Sequence, residues 1–168
     1  MKNNLIFLTI LVLGFFLFRT YFWDSDKKQI NKILNEIQES LKFEKSLPPL
    51  SVLGRLKTIS SHLAPNFSAS VLEDGKEKEL KVLSNMENLK GIALAGSRHL
   101  TYLDLFLLTA IIDVTNKQAS ASFHVTITGQ DTQSGKFKEL FSVEIKLLKI
   151  EGNWLIQSIK ADRLTPQD

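Results

Sequence analysis

Cysteine is absent from the 168 residues, which excludes disulfide staples, thiolate catalysis, cysteine-ligated zinc and a lipidated N-terminal cysteine. Histidine is scarce: His62, His99 and His124 form no i, i+4 or short-loop pair that could aim two ring nitrogens at one ion. No metal is expected. A surplus of one charge is lacking too, since residues 24–168 hold 19 basic against 18 acidic side chains. Of the 15 aromatics, seven fall within the first 23 residues, so the remainder supplies one core and leaves no stacking platform. A nucleic-acid partner is therefore not expected. Nucleotide motifs are missing as well. Gly91 and Gly96 have the gap of a phosphate loop, but Ser97-Arg98 stands where Gly-Lys-Ser/Thr should follow, and the apolar filling between them reads as helix. No serine occupies a Gly-x-Ser-x-Gly elbow, and no cofactor is expected.

What the chain does have is an apolar N-terminus. Leu5–Phe18 is 14 residues without a charge, and Arg19–Trp23 extends it to 19, close to the roughly 20 helical residues needed to cross a bilayer. The bulky flank Phe18-Arg19-Thr20-Tyr21-Phe22-Trp23 offers no small-residue processing site, which favours an uncleaved anchor over a removable signal. Arg19, Tyr21 and Trp23 suit the headgroup level, where long cationic stems and amphipathic rings settle. Residues 1–23 are therefore read as a transmembrane anchor, with the lipid bilayer as partner through residues 5–23. Lys27, Lys28 and Lys32 after the span lean towards a cytoplasmic domain, whereas the short basic tail ahead of a signal-like run favours a single-pass protein with an extracytoplasmic domain. The second arrangement is preferred.

Beyond the span, Ile30, Ile33, Leu34, Ile37 and Leu41 have helical spacing, and Pro48-Pro49 ends that helix and opens another. There Leu50, Leu53, Leu56, Ile59 and Leu63 repeat the spacing up to Pro65. Phe67–Leu72 reads as a strand, Asp74-Gly75 as a turn and Glu77–Val82 as a short edge strand or loop. Ser84-Asn85-Met86-Glu87 matches a capping box for a third helix reaching about Gly96. Tyr102–Val114 is one long apolar run. Ala119, Ala121, Phe123, Val125 and Ile127 then alternate with Ser120, Ser122, His124, Thr126 and Thr128, as in a sheet with one wet face. Phe137–Leu147 and Trp154–Ala161 supply two further strands around the turn Glu151-Gly152-Asn153.

The order helix, helix, strand, short helix, then a meander of long strands, with the ending Lys149-Ile150-Glu151-Gly152-Asn153-Trp154-Leu155-Ile156, resembles the nuclear-transport-factor-two-like (NTF2-like, cystatin-like) superfamily. The resemblance covers about residues 27–163. It implies an α+β fold, a cone-shaped, curved antiparallel sheet wrapped around about three helices, often with a pocket in its mouth. The expected organisation is an anchor (1–23), this domain (24–163) and a short tail (164–168). Family members include isomerases, dehydratases, ligand binders and interaction domains, and the membrane-anchored ones include secretion-assembly components, so fold alone assigns no chemistry.

In Tyr102-Leu103-Asp104-Leu105-Phe106, Asp104 shares strand parity with Tyr102 and Phe106 inside an apolar run. A desolvated carboxylate there would have a raised pKa, and the resemblance implies that a carboxylate and a tyrosine in the cone's mouth could shuttle protons. Asp104 and Tyr102 are thus the catalytic candidates, and Tyr102, Asp104, Phe106 and Phe123 the candidate ligand contacts, while Asp104, near the start of the strand, is more simply read as a structural residue facing water. None matches an enzyme motif residue by residue, and a non-catalytic binding or assembly module is favoured over an enzyme. Its partner is expected to be another protein or a second copy. A small hydrophobic ligand is the alternative, and an isomerase or dehydratase the third reading. The cone's contents separate the three: filled for assembly, apolar for ligand binding, lined by a buried carboxylate opposite a tyrosine for catalysis.

Overall fold

The computed structural model describes residues 25–43, 47–73, 75–80 and 86–164. The span over residues 5–23, the capping pair Ser84-Asn85 and residues 165–168 of the tail lie outside them. Among the described residues no helix is long and apolar enough to cross a membrane.

Helix α1 (residues 25–41) buries the stripe that its spacing predicts, Ile30, Ile33 and Leu34, with Ile37 packed beside them. Helix α2 (Pro49–Ser61) opens on a proline at its first position, where a missing N–H leaves no bond unmade. Its covered stripe differs from the expected one, because Val52 is buried and Leu50 is 83% exposed. Spacing fixes which residues share a stripe; tertiary contact decides which stripe is covered. The helix stops at Ser61, and β1 (Leu63–Glu73) begins two residues on, so Pro65 belongs to a strand. It lies where the pairing of β1 with β7 (Asn153–Leu164) shifts register between Leu63 and Ser68, a place that tolerates a residue with no N–H. Strand β2 (Lys76–Glu79) follows the Gly75 turn, and helix α3 (Met86–His99) runs three residues beyond Gly96.

The remaining strands are β3 (Leu100–Leu107), β4 (Ile111–Thr115), β5 (Gln118–Asp131) and β6 (Gly135–Ile150). With β7 they give one seven-stranded sheet in the order β2-β1-β7-β6-β5-β3, β4 also pairing β5. Two features depart from the sequence reading. The sheet is mixed rather than antiparallel, because β1 runs parallel to β7. The last strand consequently lies inside the sheet, with β1 covering the side that a simple meander would leave open.

The second departure splits the apolar run Tyr102–Val114. Leu107 pairs with Val125 and Ile111 with Ser122, so four steps on one strand face three on the other, and the break at 108–110 holds one extra residue. Such a bulge reverses which residues face inward. Before it Leu103, Leu105 and Leu107 pack on the core; after it Ile112 and Val114 do. Phe106 (61% exposed), Leu108 (47%) and Ile111 (69%) are left outside. An unbroken apolar run in the sequence is thus two inward stripes of opposite parity.

The core lies between α1 and the inner face of β3–β7, where Ile30, Leu147, Trp154 and Ile156 are almost completely buried. Ala119 and Ala121 are buried opposite Leu147 and Ile145 on β6. At the β5–β6 turn the Asp131 carboxylate accepts from the backbone N–H groups of Gln133 (2.7 Å) and Ser134 (2.9 Å). These bonds, the Ser134 one first, hold its pKa below the ordinary aspartate value. A depressed carboxylate contributes stability that is present above its unfolded pKa of about 3.9 and lost as pH falls through the folded value. Carboxyl-carbon NMR of Asp131 should therefore give a midpoint below that of a free aspartate; an ordinary midpoint would mean that the turn is not closed in solution.

Candidate functional site

An apolar cavity of about 240 Å³ opens between the C-terminal end of α1, helices α2 and α3, and the start of β3. Helix α2 supplies Val52, Leu56 and Ile59, spaced as i, i+4 and i+7 on one stripe. Leu41, Phe43 and Leu47 form a second wall, and Ala93, Leu100 and Leu103 a third. Of the polar residues at its rim, Ser40, Arg55 and Ser97, the last two are engaged with backbone carbonyls. Ser97 donates its hydroxyl to the carbonyl of Leu94 (2.9 Å). Arg55 Nη1 donates to the carbonyls of Glu39 (3.3 Å), Ser40 (3.2 Å) and Lys42, closing the C-terminal end of α1, where a cation complements the helix dipole. What faces the cavity is hydrocarbon.

Beside it lies a polar cleft lined by Glu39, Lys42, Phe43, Arg55, Tyr102, Leu103 and Asp104. Phe43 and Leu103 separate the two, exchanging both backbone hydrogen bonds (2.8 and 2.9 Å). Asp104 sits in this cleft with its side chain 43% exposed and its Oδ1 3.5 Å from Lys42 Nζ, which also lies 3.4 Å from Glu39. The register sets its direction. Asp104 pairs with Thr128, Phe106 with Thr126 and Tyr102 with Gln130, all on the outer face of the sheet, away from the core. Phe123 lies on the inner face, packed against the core. The four residues named from sequence are therefore not brought to one place: three line the outside of an edge strand and the fourth belongs to the interior.

The histidines are dispersed likewise. His62 Nε2 is 2.8 Å from Glu36 Oε2, joining the end of α2 to α1, and His99 Nδ1 is 3.4 Å from the Gln133 amide nitrogen. His124 is exposed on β5. No group of three or more histidines or carboxylates able to hold an ion occurs among the described residues.

A second constellation escaped the sequence reading. Asp26, in the first turn of α1, accepts hydrogen bonds from Lys149 Nζ (2.6 Å) and Trp154 Nε1 (3.0 Å), and the same ammonium lies 5.5 Å from the Trp154 ring centre. Contacts across more than 120 residues have no local signature.

A mixed, bulged sheet closed on its inner face by helices, with a cavity at the helix-covered end, defines an α+β cone. The solved structures that it matches carry the same fold. An NTF2-like protein with a cystatin-like fold from Novosphingobium aromaticivorans superposes with a TM-score of 0.63 at 11% identity, covering 90% of this chain and 90% of that one. A candidate dehydratase of the NTF2-like family from Streptomyces avermitilis gives 0.59 at 14% identity, over 84% of this chain and 98% of that one. A cystatin-like protein of unknown function from Nostoc punctiforme gives 0.57 at 13% identity, over 84% and 92%. No protein-family profile and no curated protein matches the sequence. The likeness is one of fold: NTF2-like, as the order of elements implies.

Proposed function

We propose that this chain is a single-pass membrane protein whose NTF2-like domain, held outside the cytoplasm, is a non-catalytic binding module for a small apolar molecule. The observation that carries the ligand is the cavity between α2, α3 and β3, lined by hydrocarbon while Arg55 and Ser97 at its rim bond to backbone carbonyls. Apolar cavities of about 150 Å³ already take up benzene, so this one has room for a short alkyl chain or a ring system. Catalysis through Asp104 gains no support from its position, since it is half exposed, ion-paired and on the outer face. The anchor rests on the uncharged run Leu5–Phe18 and its bulky flank.

Two outcomes are expected. Deleting residues 1–23 should move a folded domain from the membrane fraction to the soluble one; wild-type chains cut near residue 24 and found soluble in cells would refute the anchor. In that domain, titration with 1-octanol should shift the methyl signals of Val52, Leu56, Ile59, Leu100 and Leu103, and Ala93→Phe, which places a ring in the cavity, should abolish the shifts. Shifts spread evenly over the surface, or unaltered in Ala93→Phe, would overturn the ligand reading.

One observation favours assembly as a second reading. The bulge leaves Phe106, Leu108 and Ile111 exposed beside the edge at β4, and an exposed apolar patch of this kind suits contact with another copy. Ile111→Lys should then lower the sedimentation coefficient of the wild-type species; a wild-type monomer at all concentrations removes this reading.

A further inference from the structure

The position of α1 determines which end of the domain adjoins the apolar segment. Trp23, the last residue of that segment, is two residues from Ser25, a reach of at most about 7 Å, and the first turn of α1 is fixed to the sheet by Asp26. Its carboxylate holds Lys149 at 2.6 Å and Trp154 at 3.0 Å, on the two sides of the β6–β7 turn. The β4–β5 turn is tied to the same place, because the Lys149 N–H donates to the carbonyl of Lys117 (2.8 Å). The chain therefore enters the domain at a face made of three pieces: the first turn of α1, the turn at Asn116-Lys117 and the turn at Glu151-Gly152.

The chemistry of this face is specific. Ile150 stands beside the tip of the β6–β7 hairpin on the outer side of the sheet, 39% exposed, while at the same end exposed Lys28 and half-buried Lys27 follow Asp26 on α1 and exposed Lys117 lies on the turn bonded to Lys149. Lys149 and Asp26 neutralise each other, and Lys27, Lys28 and Lys117 stand against Glu151 and, in the sequence, Asp24, so lysine prevails by one. An end of the domain that carries lysines together with an exposed apolar side chain matches an anionic lipid surface, where cations meet phosphates and the hydrocarbon reaches past them.

We propose that this end of the domain, which carries Ile150, Lys27, Lys28 and Lys117, rests on the lipid headgroups, so that the domain sits on the bilayer instead of swinging from a tether. The inference rests on the anchor proposed above. Strand β6 gives the far reference point: its 16 residues span roughly 50 Å, so the turn at 132–134 lies at the opposite end of the domain.

The lack of cysteine makes the test direct. The full-length chain carrying Ile150→Cys or, separately, Ser134→Cys is labelled with bimane and reconstituted in phosphatidylcholine vesicles, with or without phosphatidylglycerol, containing headgroup-level spin-labelled lipid. Several-fold stronger quenching at position 150 than at 134, enhanced by phosphatidylglycerol, is expected. Reversing Lys27, Lys28 and Lys117 to glutamate should remove the enhancement while the chain still floats with the vesicles. A chain that floats but is quenched equally at both positions, or at neither, overturns the headgroup contact and leaves the anchor standing. Enhancement that persists in the triple variant overturns the role of the lysines. A chain that does not float overturns the anchor, and the contact with it.

Discussion

Trp154→Ala is expected to lower the stability of the domain by about 3 to 5 kcal/mol, the usual range for deleting a fully buried tryptophan and leaving its cavity behind. The ring is 2% exposed and belongs to the core cluster with Ile30, Leu147 and Ile156. The surroundings cannot close over the gap easily, because Trp154 sits directly beside the tight β6–β7 turn, where Glu151 and Gly152 adopt positive φ and hold the backbone. Its indole N–H also reaches Asp26, so part of the loss is a hydrogen bond. Trp154→Phe keeps most of the burial but loses that bond and part of the ring volume, and should cost less, about 1 to 3 kcal/mol. Urea denaturation of the two variants separates the contributions. A midpoint unchanged in Trp154→Ala would mean that the last hairpin does not pack as described.

Asp26→Ala should have the next largest effect, about 1.5 to 3 kcal/mol, because it removes a charged acceptor from two donors at once and leaves the Lys149 ammonium without its partner. Asp26 and Lys149 side chains are only 17% and 27% exposed, so water replaces the lost carboxylate incompletely. Lys149→Met in the Asp26→Ala background should recover part of the loss, since the uncompensated cation is then gone. Losses that merely add in the double variant would show that the pair is not coupled. Hydrogen exchange at the amides of residues 29 and 30, which bond the first-turn carbonyls of α1, should quicken in Asp26→Ala and stay slow around Ile33 and Leu34, which are held by burial.

Much of this architecture can be read from alternation and spacing. The inward row Ala119, Ala121, Phe123, Val125, Ile127 and the stripe Ile30, Ile33, Leu34 follow from periods of 2 and 3.6 residues, and each packs where its period puts it. Legibility ends where a face is set by something other than period. The bulge at 108–110 has no residue signature within Leu107-Leu108-Thr109-Ala110-Ile111-Ile112, where every position tolerates either face. The shared parity of Tyr102, Asp104 and Phe106 is visible in the sequence, but which side of the sheet these residues take depends on pairing with Thr126 and Thr128. Asp104 therefore lies outside while the hydrocarbon cavity forms from α2 and α3. On α2 the expected stripe and the covered one share Leu56 and Ile59 and differ at the start of the helix, where Val52 is buried and Leu50 exposed.

The two edges of the sheet are unlike, and this limits what any edge-to-edge growth could build. Strand β2 reads Lys76-Glu77-Lys78-Glu79 and is exposed throughout, with Lys160 and Ser70 bound to Glu77 from neighbouring strands. A strand added there would have to face a row of alternating charges. At the opposite edge β3 is already engaged, Leu103 by Phe43 and the Leu105 carbonyl by Gln38 Nε2, so β4, with exposed Ile111, is the part left to pair. A molecule with one receptive edge and one guarded edge can join through strand pairing once. Pairing of that kind terminates at two copies, and the chain has a built-in stop against fibre formation, because each added copy would present its charged edge to the next.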